Sequence, residues 1–120
     1  MTNLYIETME KLRVYGKSYK DIVAIQGYDF SIDVNDFFAL AKNINYDEGY
    51  GAAHIAADLT IVGEDWWMER DEYDGAENWK FRQKPKLRTN ARKVSSLGGD
   101  EDQWPLLKDF VEEDEEDNEN

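Results

Sequence analysis

DLTIVGEDWWMERDEYDGAENWKFRQ, residues 58–83, carries the clearest strand-pairing signal in the chain. Asp74-Gly75 lies between two runs of alternating apolar and polar residues. That dipeptide suits a type I′ hairpin turn, which needs positive φ at both central positions. A two-residue loop pairs Tyr73 with Ala76, and the register follows: Met68 opposes Phe81, Arg70 opposes Trp79, Glu69 opposes Lys80 and Trp67 opposes Arg82. One face then carries Trp66, Met68, Trp79 and Phe81, the other Trp67, Glu69, Asp71, Lys80 and Arg82. A slip of one residue would scramble both faces, so this register is well specified. Leu59, Ile61 and Val62 supply a preceding strand that ends at Gly63-Glu64-Asp65, completing a three-stranded meander. The first face is expected to be core and the second solvent. Glu72 opposite Glu77 is the one unfavourable pair.

Toward the N-terminus, residues 3–15 place Leu4, Tyr5, Met9, Leu12 and Tyr15 at three- and four-residue spacing, the stripe of an amphipathic helix. Thr2 or Asn3 would cap it and Gly16 would stop it; a strand plus a loop is the alternative reading. DIVAIQ (residues 21–26) reads as a buried strand, Gly27-Tyr28-Asp29 as a turn, and Phe30 with Ile32 as a short half-buried strand, together a hairpin. Asp33 is then an N-cap, with Asp36 in the first turn, for a helix whose Phe37, Leu40, Ala41 and Ile44 share a face. NYDEGYG (residues 45–51) reads as a connecting loop, with a binding loop as the alternative that its two glycines, two tyrosines and two acids allow. Residues 52–57 read as one helical turn or the entry to a strand. The expected fold is α+β: a small, mostly antiparallel sheet of five strands, meander plus N-terminal hairpin, with one or two helices on one face. The compact domain is expected over residues 1–84. A basic to flexible linker follows over 85–99, and a disordered acidic tail over 100–120 with an apolar island at 104–111.

The net charge of −13 is strongly segmented. Residues 29–79 hold thirteen acids against Lys42 and Arg70. Residues 80–93 hold seven bases and no acid, and residues 94–120 eleven acids against Lys108. Such a balance keeps a chain soluble and repels nucleic acid and anionic membranes except where positive charge is local. No cysteine is present, which excludes disulfides, zinc–thiolate sites and cysteine nucleophiles. No signal peptide and no apolar run of membrane-spanning length is visible, so a cytoplasmic location is expected. His54 is the only histidine, and no phosphate-binding glycine loop, nucleophile elbow or metal-ligand spacing occurs. The expectation is therefore a non-enzymatic protein without cofactor or metal.

The charge layout supplies the functional candidates. Glu64, Asp65, Glu69, Asp71, Glu72, Asp74 and Glu77 project from adjoining strands and turns, with Trp67 as an anchor among them. Carboxylates fixed on a sheet can imitate a row of phosphates and occupy a basic cleft, where electrostatic steering speeds association. The alternative is nucleic-acid binding through Lys80, Arg82, Lys84, Lys86, Arg88, Arg92 and Lys93, with the acidic tail as an internal competitor. A third possibility is docking through the island, with Trp104, Leu106, Leu107 and Phe110 as contacts; self-packing of the island is equally compatible with its composition.

The stretch 30–81, in particular DVNDFFALAKN, YDEGYGAAHIAADLTIVG, DWWMERDEYDG and ENWKF, resembles a group of small acidic proteins encoded by bacteriophages and prophages. The resemblance covers about half of the chain, including the meander, and leaves out the basic strap and WPLLKDF. It carries over no site residues. It implies an accessory phage protein and favours host takeover or counter-defence; the charge layout adds that the expected partner is a host protein with a basic surface, met in the host cytoplasm. Inhibition of a defence nuclease is one such action; the alternatives are a nucleic-acid-binding accessory protein using the basic strap 80–93 and a structural or assembly protein docking through 104–111.

Overall fold

The computed structural model describes residues 1–49, 51–99 and 104–112. The chain divides into two units, Met1–Pro85 and Lys86–Asn120. The first is an α+β unit. Its elements are β1 (Thr2–Asn3), α1 (Leu4–Val14), a 3-10 turn (Tyr19–Asp21), β2 (Ala24–Gln26), β3 (Ser31–Ile32), α2 (Val34–Ala41), β4 (Asn45–Tyr46), β5 (Thr60–Val62), β6 (Trp66–Tyr73) and β7 (Ala76–Gln83). The main sheet is antiparallel throughout in the order β3-β2-β5-β6-β7. A second, two-stranded sheet pairs β1 with β4.

The expected helices form for the expected reasons. Asn3 caps α1 by accepting the Ile6 N–H, and Gly16 follows the helix with φ +71°. Asp33 caps α2 by accepting the Asp36 N–H at 3.1 Å. The hairpin register matches the sequence reading at every pair, from Tyr73↔Ala76 back to Trp67↔Arg82. Asp74 and Gly75 both have positive φ, as a type I′ turn requires. One straight row crosses the sheet, Ile32–Ile25–Ile61–Met68–Phe81, and points to the helices. Against it pack Leu4 and Leu12 of α1 and Phe37 and Ala41 of α2. Leu40 departs from expectation: it is 63% exposed, because α2 turns the stripe of Val34, Phe37, Phe38 and Ala41 toward the core instead.

Trp66 and Trp79 are buried, and the indole of Trp66 lies flat over the β5–β6 turn. A Cβ on Gly63 would stand 2.0 Å from Trp66 Cε2, so glycine is obligatory there. Trp66 stacks on Phe81 at 5.5 Å, and Phe81 on Tyr15 at 4.1 Å, continuing the core outward as an aromatic pile.

In the second unit Val94 and Val111 form an antiparallel bridge. The Ser95 N–H donates to the Phe110 carbonyl, and the Glu112 N–H to that of Lys93. A 3-10 turn, Leu107–Phe110, precedes the bridge. Phe110 and Val111 are partly buried, whereas Trp104, Leu106 and Leu107 are exposed. The acidic run at 113–120 and the acids at 100–102 lie outside the described residues.

Replacing Gly63 with Ala should lower unfolding free energy by about 1–3 kcal/mol, the usual cost of overpacking a filled site. A urea titration of the two proteins checks this.

Candidate functional site

Arg70 is the centre of the first unit's polar interior. The hairpin register puts it on the core face opposite Trp79, and its side chain is 3% exposed. A cation there needs anions and acceptors around it. Its Nη1 lies 3.3 Å from Glu7 Oε2, and its Nη2 donates to Glu77 Oε2 at 2.9 Å and to the Tyr46 hydroxyl at 2.8 Å. The guanidinium sits over the Trp79 ring, 4.6 Å from its centre. Among the described residues, Nε has no hydrogen-bond partner.

Each partner is itself fixed. The Tyr46 hydroxyl donates to Glu7 Oε1, and Glu7 Oε2 also accepts the Trp79 N–H. Glu77 accepts the backbone N–H groups of His54 and Ile55 at 2.7 and 3.0 Å, which pins the 52–57 segment to β7. At the next residue of α1, the Trp79 indole donates to Thr8 Oγ1, which donates to the Leu4 carbonyl one turn back. Two carboxylates thus surround one guanidinium.

The titration shifts follow from this packing. Burial disfavours the charge on Glu77, but the backbone donors of His54 and Ile55 and the Arg70 guanidinium outweigh it and hold the carboxyl below its usual range. Burial likewise opposes the Arg70 charge; the bond to Tyr46 and the charges of Glu7 and Glu77 reverse the sign and raise it. Tyr46 is pushed well up by burial and by donating to Glu7, against the opposing pull of Arg70. All three shifts run away from neutrality, opposite to what general acid–base work at neutral pH uses. The cluster acts as a fastener. Among the described residues no group of three or more His, Asp or Glu is placed to hold a metal ion.

The structure separates the eight predicted partner-binding residues into four places. Glu77 is a correction: it is 3% exposed and belongs to the Arg70 cluster, not to a solvent face. Its odd position in β7 shares the core face with Trp79, and the partners that permit its burial come from distant segments. Trp67, Glu69 and Asp71 do lie on the outer face, but that face is charge-balanced by Lys80 and Arg82. Trp67 is partly buried, and its indole donates to Glu69 Oε1 at 2.8 Å. Glu69 pairs with Arg82, diagonal to it, rather than with Lys80 directly across; both side chains are near half-exposed, so the pair contributes about 0–1 kcal/mol. Glu64 and Asp65 stand exposed at the β5–β6 turn, and Glu72 and Asp74 at the opposite end of β6. Asp65 lies seven residues from Glu72 and nine from Asp74, roughly 23–30 Å at ~3.3 Å per residue. No continuous acidic row runs along the sheet.

A different acidic grouping forms, and the sequence reading missed it. The Glu77 N–H donates to the Glu48 carbonyl, and a Cβ on Gly75 would stand 4.0 Å from the Gly51 N. The 45–49 loop therefore lies beside the hairpin tip. These two segments bring Asp47, Glu48, Glu72 and Asp74 to one end of the sheet, and neither the 45–49 loop nor residues 72–75 contains a lysine or arginine. Tyr73, 80% exposed, projects at the tip. The sequence signal was the presence of two acidic, glycine-containing turns, but nothing local told that they meet.

Of the basic candidates, Lys80, Arg82 and Lys84 alternate along one side of β7 and its exit. Lys86, Arg88, Arg92 and Lys93 are exposed residues of the second unit. Among the described residues no helix is long and apolar enough to cross a membrane. No protein-family model matches the chain, and no curated protein or solved structure is significantly similar to it.

Two outcomes follow from the Arg70 cluster. Arg70→Met leaves two buried carboxylates uncompensated and should cost about 3–5 kcal/mol, read by denaturant unfolding. For pH, the unfolded Glu77 takes up a proton at a higher pH than the folded one, so its contribution is complete above the ordinary value of 4.5 and lost as pH falls below it. Glu77→Gln should be less stable than the parent at pH 7 and should lose less stability than the parent between pH 4.5 and 3. Urea titrations across that range test it.

Proposed function

We propose that this protein is a non-catalytic binding protein that presents the acidic end of its sheet to a basic surface of another protein. One observation carries the reading: the Glu77 N–H to Glu48 carbonyl bond, which sets the 45–49 loop beside the hairpin tip and gathers four carboxylates there, Asp47, Glu48, Glu72 and Asp74. Both turns are held by the fold, the tip by its type I′ geometry and the loop by β4 and Glu77. Carboxylates so fixed lose little entropy on meeting a partner, and their summed field steers a basic surface toward them. The exposed ring of Tyr73 offers an aromatic contact at the tip, the type of residue enriched at binding hot spots. Inhibition of a host nuclease, which the phage resemblance implies, is one instance of this reading. The outer sheet face supports it less well, because Lys80 and Arg82 neutralise Glu69 and Asp71 there.

Location can be separated from net charge. Glu72→Lys/Asp74→Lys and Glu64→Lys/Asp65→Lys change the net charge equally at opposite ends of β6. In capture of binding proteins from bacterial lysate, the first variant should lose at least about 90% of specific capture, corresponding to ~1.4 kcal/mol or more, and the second should retain most of it. Equal behaviour of the two variants overturns the reading.

A further inference from the structure

The sheet has one long edge strand, β7, and its two halves differ. In the first half the Glu77 and Trp79 N–H groups point away from β6, and each has an acceptor, the Glu48 carbonyl and the Glu7 carboxylate. Backbone direction repeats every second residue in a strand, so the Phe81 and Gln83 N–H groups point the same way. Among the described residues no acceptor meets either, and no strand other than β6 pairs with β7. An unpaired run of this kind is a template for another strand.

The side chains around the open half differ by face. On the outer face Lys80, Arg82 and Lys84 alternate. Only Arg82 has an ion-pair partner among the described residues; Lys80 and Lys84 have none. On the inner face Phe81 is half-buried and stacked flat on Tyr15, which is itself 46% exposed. A strand laid on this edge would meet cations on one side and an aromatic shelf on the other.

We propose that the Phe81–Gln83 half of the β7 edge takes an extended, acidic segment of a partner protein, with apolar residues at alternate positions, as a sixth strand. This surface is distinct from the acidic end and does not depend on it. A second copy of β7 fits poorly, since antiparallel pairing would set Lys80, Arg82 and Lys84 of each copy against those of the other. The chain's own acidic run, EEDEEDNEN at 112–120, has the charge but no apolar residue for the shelf formed by Tyr15 and Phe81.

The full chain, labelled for amide NMR, is titrated with a capped peptide of about seven alternating Glu and Val residues, a typical strand length. On saturation, exchange of the Phe81 and Gln83 amides should slow at least about tenfold, while Glu77 and Trp79, already bonded, change little. Gln83→Pro removes an outward N–H without touching the ladder to β6 and should weaken binding about tenfold. Lys80→Glu/Lys84→Glu should abolish it. The proposal is overturned if the peptide binds without slowing exchange at Phe81 and Gln83, or if a Lys–Val peptide binds equally well. Protection that rises with protein concentration in the absence of peptide would assign the edge to a second copy. Binding that appears only after deletion of residues 112–120 would assign it to the chain's own tail. Either result also overturns the proposal.

Discussion

Arg70 holds its guanidinium between Glu7 and Glu77, and the placement of four segments follows from what a buried cation requires. Glu7 brings α1, Tyr46 brings β4, and Glu77 brings β7 and, through its two backbone acceptor contacts, the 52–57 segment. The apolar row across the sheet would hold the helices in many orientations, because hydrophobic burial has no preferred direction. The ion cluster is directional. A buried salt bridge is weak evidence for net stability when compared with an apolar replacement, but removing one member leaves a charge stranded. The cluster therefore selects one arrangement of α1 on the sheet and penalises the others.

The same cluster indirectly makes the acidic surface. Glu77 can be buried only because Arg70 and two backbone N–H groups receive it. Its own N–H then reaches the Glu48 carbonyl and draws the 45–49 loop to the hairpin tip. A residue counted from sequence among the surface acids proves to be the interior post on which the neighbouring surface acids are arranged.

The legible part of the sequence was the part written in short range. Asp74-Gly75 carried the hairpin and its register, Asn3 and Asp33 carried the helix starts, and alternation carried the two faces. The two-residue pairing of β1 with β4 was not legible, since so short a strand has no pattern. The interior cluster was half legible. Register parity set Arg70 and Glu77 on the face of Trp79, and two opposite charges on a core face imply a buried pair. Glu7, Tyr46 and the N–H groups of His54 and Ile55 come from elsewhere in the chain, and no local signal named them. The meeting of the two acidic turns was hidden for the same reason.

The bonds from Trp79 to Glu7 and Thr8 span 72 and 71 residues of chain. This gives the fold an order in time. During synthesis α1 emerges early, with Thr8 and Glu7 lacking the indole and backbone donors that complete them, and those donors emerge only with the last strand of the first unit. Contacts of such sequence separation bear a large loop-closure cost before they contribute anything, which slows the final step of folding. Until β7 is made, the open edge belongs to β6, whose Trp66-Trp67-Met68 run is the most apolar part of the meander. The nascent chain is thus at its most adhesive just before it closes, and Glu69, Asp71 and Glu72, lying directly after that run, act as its gatekeepers during the interval.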